Sequence, residues 1–225
     1  MSDASGIKLY SYWRSSASWR VRIALRLKGL AFEYVPVHLV HREQKAGEHH
    51  ARNPMEQLPA LELELGGRRV FVAQSLAILE LLEEIHPEPA LLPADPYLRA
   101  RARELSEIVN AGIQPHQNLT PMQRIDELSP HAGKAHAKHF NEVGLAALEE
   151  RTKEVAGRFS VGDAPTFADL CLVPQLYSAR RFGIEDLETR CPTLLRIEAA
   201  CGELAAFRDS HPDAQPDAPS SPPTS

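Results

Sequence analysis

A strand, a helix and a second strand follow one another at the start of this chain, and this order constrains the fold more than any other feature. Residues Ile7 to Tyr12 read as a strand, Trp19 to Lys28 as a helix and Phe32 to Val37 as a second strand. Two strands joined in this way run parallel with a right-handed crossover. The sequence therefore predicts a βαβ unit whose first turn, at Ser15, lies at the carboxyl end of a strand, where α/β sheets bind ligands.

The next elements are predicted to be a hairpin and a helix. Leu61 to Leu65 and Arg69 to Val72 have strand character and flank the pair Gly66-Gly67, which supplies the positive φ angles of a tight turn. Gln74-Ser75 then opens a helix, which ends before Pro87 because proline disfavours a helical conformation in the preceding residue. The order of elements is thus βαβ followed by ββα.

Strand signals fade after a segment rich in proline, and amphipathic helical patterns replace them. We therefore expect an α/β domain at residues 1–87 and an all-α domain at 97–210. From 211 to 225 the chain has few apolar groups to offset the entropy of ordering it, so this tail is predicted to be mostly mobile. Thr166 and Asp169 have the spacing of a capping box. The helices of the second domain are expected at Leu98 to Ile113, Lys134 to Val155, from Pro165-Thr166-Phe167 onwards, and Thr193 to Phe207.

Composition argues against several classes of function. The formal net charge is −5 and the arginines are spread along the chain, so nucleic acid is not expected as a partner. No run of about eighteen apolar residues and no charged-then-apolar leader occurs, so we expect no membrane span, no export and a cytoplasmic location. The widely spaced Cys171, Cys191 and Cys201 indicate reduced thiols in the core rather than a disulfide framework.

Hydroxyl groups crowd the first strand-to-helix turn, which reads Ser15-Ser16-Ala17-Ser18-Trp19-Arg20-Val21-Arg22. Backbone N–H groups and the positive end of the helix dipole meet there, so an anion at Ser15 or Ser16 would be stabilised by about 0.3–1 kcal/mol at an exposed site. Serine is also a favoured N-cap on any helix. The turn alone therefore leaves both a helix cap and an anion site open.

Motifs along nearly the whole chain resemble those of the cytosolic glutathione transferases, and within them the zeta class. The serine-rich turn is similar to the S-S-C-S-W-R-V-R motif of that class. Further matching segments, in the family's order, are Asn53-Pro54-Met55, Gln74-Ser75-Leu76-Ala77-Ile78, Leu91-Leu92-Pro93, Gly112-Ile113-Gln114-Pro115, Gln117-Asn118-Leu119, Val161-Gly162-Asp163 and Ala168 to Gln175. The resemblance implies the glutathione transferase fold, in which a thioredoxin-like domain binds glutathione and a C-terminal helical bundle binds the substrate, and it implies a homodimer.

The resemblance also assigns glutathione to particular positions in this chain. In the family the peptide bond before the matching proline is cis, which lets the backbone of Leu58 offer its N–H and C=O to the cysteinyl backbone of glutathione. Ser75 and the first amides of its helix suit the γ-glutamyl carboxylate. Without the family, Pro59 would be an ordinary proline at the start of a strand and Ser75 a helix cap. The implied glutathione contacts are Ser15, Ser16, Leu58, Pro59, Gln74, Ser75 and Gln114.

Arginine is the expected partner of substrate carboxylates, because its planar fork matches them in a bidentate fashion. Arg14 lies beside the serine turn, and Arg181 precedes a phenylalanine in a segment that resembles the family's substrate-binding segment. Taken alone, an arginine on a helix is more often a solvated charge, and Arg180 is given no role. Gln114 and Asn118 are four residues apart and are predicted to share a face toward the cleft, although a proline between them disturbs the helix.

The activity that the resemblance implies is isomerisation of maleylacetoacetate to fumarylacetoacetate in tyrosine and phenylalanine breakdown, with glutathione as a recycled cofactor. Ser15 and Ser16, the expected catalytic residues, would donate hydrogen bonds to the glutathione thiolate and raise its fraction at neutral pH. The thiolate would add to the cis double bond of a small dicarboxylic acid, and the bond would rotate before the thiol leaves. Maleylpyruvate isomerisation or general glutathione transfer could use the same groups. A non-catalytic binding module of this fold is the alternative from another class.

Three further features bear on the chemistry. Ala17 stands where the family has a cysteine, so reductive dehalogenation, which relies on a cysteine in this turn, is not expected. His131, His136 and His139 lack a recognised metal-ligand spacing, so no metal is predicted. His116 is interpreted as a partly exposed histidine without a catalytic role.

Overall fold

The computed structural model describes residues 6–220, which fall into two compact units. One unit contains residues 6–90 together with 204–220, and the other is Leu91–Glu203. The first unit therefore ends a few residues after position 87, where the sequence placed a domain end, and it takes in a C-terminal segment that the sequence assigned to the second domain and the tail. No helix within 6–220 is long and apolar enough to cross a membrane.

The first unit is built on a four-stranded mixed sheet with strand order β2-β1-β3-β4. Strand β1 pairs parallel with β2 and antiparallel with β3, and β3 forms a hairpin with β4. This confirms the predicted βαβ unit, the hairpin and the thioredoxin-like class. The elements are β1 (Lys8–Ser11), α1 (Ser16–Leu27), β2 (Glu33–Pro36), α2 (Gly47–Arg52), β3 (Ala60–Leu65), β4 (Arg68–Ala73) and α3 (Ser75–Ile85).

Apolar spacing explains how α1 and α3 pack on each other in this unit. In α3, Ile78, Leu79 and Leu82 are fully buried and recur at the helical spacing that the sequence showed. Each side chain of this kind contributes about 1.5–3 kcal/mol when it leaves water. Leu9 in β1 and Leu61 in β3 are paired across the strands and are also fully buried. The sheet and both helices therefore share one core.

The second unit is helical throughout its regular elements, as predicted. Helix α7 carries the expected capping box, with Thr166 and Asp169 bonded reciprocally, and nearly all of its residues are buried. Helix α7 packs against both α4 and α9 and is almost wholly buried, so it lies in the core of this unit. The helices are α4 (Pro96–Gly112), α5 (Leu119–Leu128), α6 (Ala132–Lys153), α7 (Phe167–Arg181), α8 (Leu187–Arg190) and α9 (Pro192–Gly202).

The prediction of one final helix from Thr193 to Phe207 is wrong. Helix α9 ends at Gly202, and a separate short helix, α10 (Ala205–Arg208), follows in the first unit. Leu204 between them is extended, with φ −89° and ψ 128°. Gly202 ends α9, and glycine destabilises a helix by about 1 kcal/mol relative to alanine. Ending the helix there therefore costs little free energy.

The sequence also missed three helices. Helices α2 and α8 are short, and α5 has no buried residue, so none of them shows the continuous apolar stripe from which a helix is recognised.

Residues 211–220 differ from the mobile tail expected from 211 onwards. The ring of His211 meets Trp19 edge to face, with the ring centroids 5.2 Å apart. Pro212 and Gln215 are buried, and Gln215 Nε2 donates to the carbonyls of Asp209 and His211 at 3.0 and 2.8 Å. The composition argument counted apolar side chains, whereas polar contacts hold this segment. Residues 221–225 of the predicted tail lie outside the described part of the chain.

A buried carboxylate joins two helices of the second unit. Glu149 on α6 accepts the backbone N–H groups of Thr193 and Leu194, in the first turn of α9, at 3.2 and 3.1 Å. Lys153 Nζ lies 3.1 Å from the same carboxylate. Burial acts to raise the pKa of Glu149, but the hydrogen bonds from Thr193, Lys153 and Leu194 together outweigh it and leave the pKa below its usual value. The ionised form therefore stabilises the fold.

Replacing this residue, Glu149→Gln, should lower the free energy of unfolding by about 1–2 kcal/mol at neutral pH, because the anionic cap of α9 is lost. Since the folded-state pKa is lowered, this contribution is present above the unfolded pKa and disappears as the pH falls through the folded one. Urea unfolding followed by circular dichroism at neutral and acid pH measures the difference. The exposed neighbour Glu150→Gln is the control, and an equal effect of both changes would contradict the assignment.

Candidate active site

Ser15 is the N-cap of α1, and its hydroxyl is already partly used by the fold. Its Oγ accepts the backbone N–H of Ser18 at 3.2 Å, and its own N–H donates to the carbonyl of Tyr12 at 3.0 Å. A hydroxyl that accepts one hydrogen bond can still donate its own proton. Ser16 is the first residue of α1, and both serines are partly exposed. Ser15 can therefore cap the helix and donate to an anion at the same time.

A buried guanidinium holds the chain where β1 leads into this turn. Arg22 is fully buried and donates to the carbonyls of Tyr12 and Trp13 at 3.3 and 2.9 Å, and to the hydroxyl of Ser11 at 3.1 Å. Its Nε and Nη2 also reach the carbonyl of Ser210, each at 3.2 Å. Burial lowers the pKa of Arg22 to about 10, which still leaves a cation at neutral pH. Sequence reasoning gave this arginine no role.

A second buried arginine on α1 reaches the start of α3. Arg20 Nη1 donates to the hydroxyl of Ser75 at 3.1 Å, and both side chains are buried. Gln74, the N-cap residue of α3, has φ 72° and ψ 118°, a conformation that costs a non-glycine residue about 1–3 kcal/mol. Such strain persists where the surroundings over-determine it, often at a binding site. Arg20 therefore orients Ser75. Apart from the motif that contains Arg20, nothing in the sequence indicated this contact.

The expected cis peptide bond is present between Leu58 and Pro59 and is confirmed. Leu58 is buried and belongs to an apolar cluster with Tyr10, Tyr12 and Trp13. The paired residues of β3 begin at Ala60, so the backbone groups of Leu58 lie outside the strand ladder. The sheet therefore uses neither the N–H nor the C=O of Leu58.

The register of the sheet brings three of these turns to one end. Tyr10 near the end of β1 pairs with Ala60 at the start of β3, and Ala60 pairs with Ala73 at the end of β4. The serine turn, the Leu58–Pro59 loop and the Gln74-Ser75 turn each adjoin one of these positions. Six of the seven positions assigned to glutathione from the sequence therefore lie at the same end of one sheet.

Arg14 faces an open cavity in the first unit. The cavity has a volume of about 370 Å³. The Arg14 guanidinium lies 5.4 Å from the centre of the Trp13 ring. Arg14 is partly exposed and offers a cation to an acidic ligand, while Asp217 in the same lining contributes an opposing negative charge. The residues that line the cavity are Tyr12, Trp13, Arg14, His38, Val40, Asp217 and Pro219.

The seventh position, Gln114, belongs to the second unit. It begins the 3-10 helix Gln114–Gln117 that follows α4, and its Nε2 donates to Asn118 Oδ1 at 2.8 Å. The two side chains therefore share a face, as expected. Gln117 anchors the same short helix, because its amide bonds with Gln175 at 3.2 Å and with Asn141 at 2.9 Å in a buried cluster.

The adjacent arginines of α7 differ in their surroundings. Both lie in the last turn of α7. Arg180 forms a two-pronged ion pair with Glu198, and its Nη1 is 2.6 Å from Oε1. That hydrogen bond raises the pKa of Arg180. Arg181 is exposed, with its guanidinium 5.9 Å from the centre of the Phe182 ring. Arg180 is thus committed to its ion pair with Glu198.

His116 and the three cysteines of the second unit pack among other side chains of the protein. The ring of His116 stacks on Phe140 with centroids 3.5 Å apart, and its Nδ1 lies 3.1 Å from His136 Nε2. Burial, with a smaller effect of His136, lowers the pKa of His116. Burial also raises the pKa of the Cys191 and Cys201 thiols, and all three cysteines are buried and take part in no disulfide. These groups are packing residues at neutral pH.

A thioredoxin-like unit that gathers a serine turn, a cis-proline loop and a strained Gln-Ser turn at one end of its sheet is the arrangement of a glutathione transferase. In agreement, the family model described as "Glutathione S-transferase, N-terminal domain" matches residues 5–84. Maleylacetoacetate isomerase of Rattus norvegicus is 46% identical over 215 residues, which cover 94% of each chain.

Solved structures agree. Maleylacetoacetate isomerase from Anaeromyxobacter dehalogenans 2CP-1, with bound GSH in the active site, has a TM-score of 0.88 and 55% identity over 95% of this chain and 98% of that one. A maleyl pyruvate isomerase described as a bacterial glutathione S-transferase in the zeta class has a TM-score of 0.86 and 42% identity, covering 94% and 100%. The chain therefore belongs to the zeta class of glutathione transferases, the family of the maleylacetoacetate isomerases.

The two serines should differ in what they do for the fold. Ser15→Ala should lower the free energy of unfolding by about 1 kcal/mol, because the cap on the Ser18 N–H is lost. Ser16→Ala, inside the helix, should leave it nearly unchanged. Urea unfolding of both variants and the wild type measures this difference, and equal stability of the two variants would show that Ser15 is not the cap in solution.

Proposed function

We propose that this protein is a glutathione-dependent cis–trans isomerase that converts maleylacetoacetate to fumarylacetoacetate. The observation that carries the proposal is the gathering of the serine turn, the Leu58–Pro59 loop and the Gln74-Ser75 turn at one end of the sheet. The relatives that are similar over nearly the whole chain support the same reaction, since they are named for it.

The groups at this end of the sheet fit a thiol tripeptide. Ser75, held by Arg20 at the start of α3, and the free amides of that helix suit a carboxylate. The backbone of Leu58 suits an extended peptide, because its N–H and C=O lie outside the ladder. Ser15 and Ser16 are partly exposed hydroxyls at the positive end of α1 and suit a thiolate. Gln114 in the second unit is proposed as a further contact.

Glutathione would supply the thiolate that adds to the double bond and leaves after rotation. The protein's part is to bind and orient both partners and to stabilise charge. Hydroxyl donors at Ser15 or Ser16 lower the pKa of the glutathione thiol, because they hydrogen-bond its anionic form. More of the thiol is then thiolate at neutral pH. Arg14 and Arg181, with Asn118, are proposed to bind the carboxylates of the dicarboxylic acid and the enolate charge that develops.

Purified wild-type protein should isomerise maleylacetoacetate only when glutathione is present, because the chain has no thiol of its own in the serine turn. The assay follows loss of the cis acid spectroscopically, with maleylpyruvate as a parallel substrate. Turnover of neither acid would refute the proposal. A higher kcat/KM for maleylpyruvate would establish the second candidate function, which the 42% identity to a maleyl pyruvate isomerase supports.

Arg181→Ala should raise the KM for the acid by about tenfold or more with a smaller effect on kcat, because one charge-assisted contact to a carboxylate is lost. Arg180→Ala is the matched control: it removes the same charge one residue away, from an arginine already bonded to Glu198. Steady-state kinetics of both variants decides the matter. Equal changes in KM would point to general electrostatic attraction and against a specific contact.

We also propose a homodimer and a cytoplasmic location. Met55 and Phe71 in the first unit, and Tyr97 and Val143 in the second, are large apolar side chains that are between 42% and 66% exposed in a single chain. Contiguous exposed apolar side chains mark interaction surfaces, and these four are proposed to be covered when two chains associate. The buried thiols suit a reducing compartment. Light scattering after size exclusion would give twice the mass of one chain for the dimer.

A further inference from the structure

We infer that the C-terminal segment, defined as residues 210–218, is a positioning element of the proposed active site, and that Asp217 fixes the peptide leading into the serine turn. This inference rests on the proposed function, since the turn that it positions is the proposed thiolate site. Asp217 contacts no reacting group in this account and acts through Trp13, which lies two residues before Ser15.

The carboxylate of Asp217 links Trp13, just beyond the carboxyl end of β1, to Tyr34 in the neighbouring strand β2. Its Oδ2 accepts the backbone N–H of Trp13 at 3.0 Å, and its Oδ1 accepts the hydroxyl of Tyr34 at 2.6 Å. Trp13 follows β1 and Tyr34 lies in β2. Hydrogen bonds to an ionised acceptor are shorter and stronger than neutral ones. One side chain therefore ties the entry of the serine turn to the adjacent strand.

Trp13 is held from both sides of its backbone. Asp217 accepts its N–H, and Arg22 Nη2 donates to its carbonyl at 2.9 Å. Arg22 in turn bonds to the carbonyl of Ser210, at the other end of the C-terminal segment. The segment thus joins the carboxylate and the guanidinium that together fix the Trp13 peptide groups.

Tyr34 is a dependable donor in this arrangement. Burial, and next the hydrogen bond to Asp217, raise the pKa of Tyr34 well above its usual value. The phenol therefore stays protonated and can donate at every physiological pH. The neighbouring charges suit each other as well, because anionic Asp217 interacts favourably with cationic Arg22.

The C-terminal segment also makes an apolar contact with the cluster that includes the cis-proline loop. Ala218 packs against the cluster that contains Tyr12, Trp13 and Leu58. Leu58 offers the backbone groups proposed to meet glutathione, and Trp13 leads to the proposed sulfur site. The C-terminal segment therefore supports two of the three turns that build the site, although it contributes no group to their ligand in this proposal.

Catalysis is sensitive to such support, because a displacement of about 1 Å at a catalytic donor can cost roughly a hundredfold in rate. Full-length Asp217→Ala should therefore lower kcat by about tenfold or more without raising the KM for the acid, since the change removes a negative charge from the cavity that Arg14 faces. It should also raise the thiol pKa of bound glutathione, read as the ultraviolet absorbance of the thiolate against pH. Asp217→Asn, which keeps one acceptor oxygen for Trp13, should recover part of both effects.

The control is Asp213→Ala in the same segment. The Asp213 side chain is 74% exposed, and its carboxylate lies 3.5 Å from His211 Nδ1, away from Trp13. This variant should keep the wild-type kcat and thiol pKa. Circular dichroism and thermal unfolding are measured for every variant, so that activity is compared among folded proteins.

Folded Asp217→Ala with wild-type kcat and thiol pKa would overturn the inference, as would a rise in KM with unchanged kcat. If Asp217→Ala does not fold, Tyr34→Phe tests the same bridge by removing one of its two hydrogen bonds, and it should shift kcat and thiol pKa in the same direction. Failure of wild-type isomerisation would count against the proposed function alone, because the titration of bound glutathione reports the serine turn without it.

Discussion

The buried guanidinium of Arg22 is the interaction on which the rest of the site depends. A cation in the interior is costly unless its N–H groups are all met by good acceptors. Here the acceptors are the carbonyls of Tyr12, Trp13 and Ser210 and the hydroxyl of Ser11. The carbonyls need hydrogen-bond donors as well, because Tyr12 and Trp13 lie beyond the last residue of β1 and have no partner in the sheet. The path of the chain into the serine turn is thus set by electrostatics before any ligand arrives.

The site that results is made largely of backbone groups and helix starts. Register places the ends of β1 and β4 and the start of β3 side by side, and each leads into a turn with an unusual feature: a capped helix start at Ser15, the cis bond before Pro59 and the positive φ of Gln74. Arg20 adds a side-chain link from α1 to Ser75. Such a site needs few specific side chains, so Ala17 can stand where the family has a cysteine while the arrangement of turns remains.

What the residue patterns could predict without the family resemblance was local. Strand and helix periodicity indicated the βαβ unit, the pair Gly66-Gly67 the hairpin and Thr166 with Asp169 the capping box, because each signal lies within a few neighbouring residues. The ordered C-terminal segment depends on contacts between residues 188 and 204 positions apart, from Arg22 to Ser210 and from Trp13 to Asp217. No pattern within a window of sequence reports such a pairing. The roles of Arg20 and Arg22 were missed for the same reason.

The two anchors of the C-terminal segment also fix its length. Ser210 is held at Arg22 and Asp217 at Trp13, and the turn of Pro212–Ala214 occupies the chain between them. Chain termini ordinarily accept insertions and deletions freely, since little depends on their spacing. Between these two anchors, one residue more or fewer would move the carboxylate out of reach of the Trp13 amide. This stretch therefore has the length constraint of an internal loop, although it lies near the end of the chain.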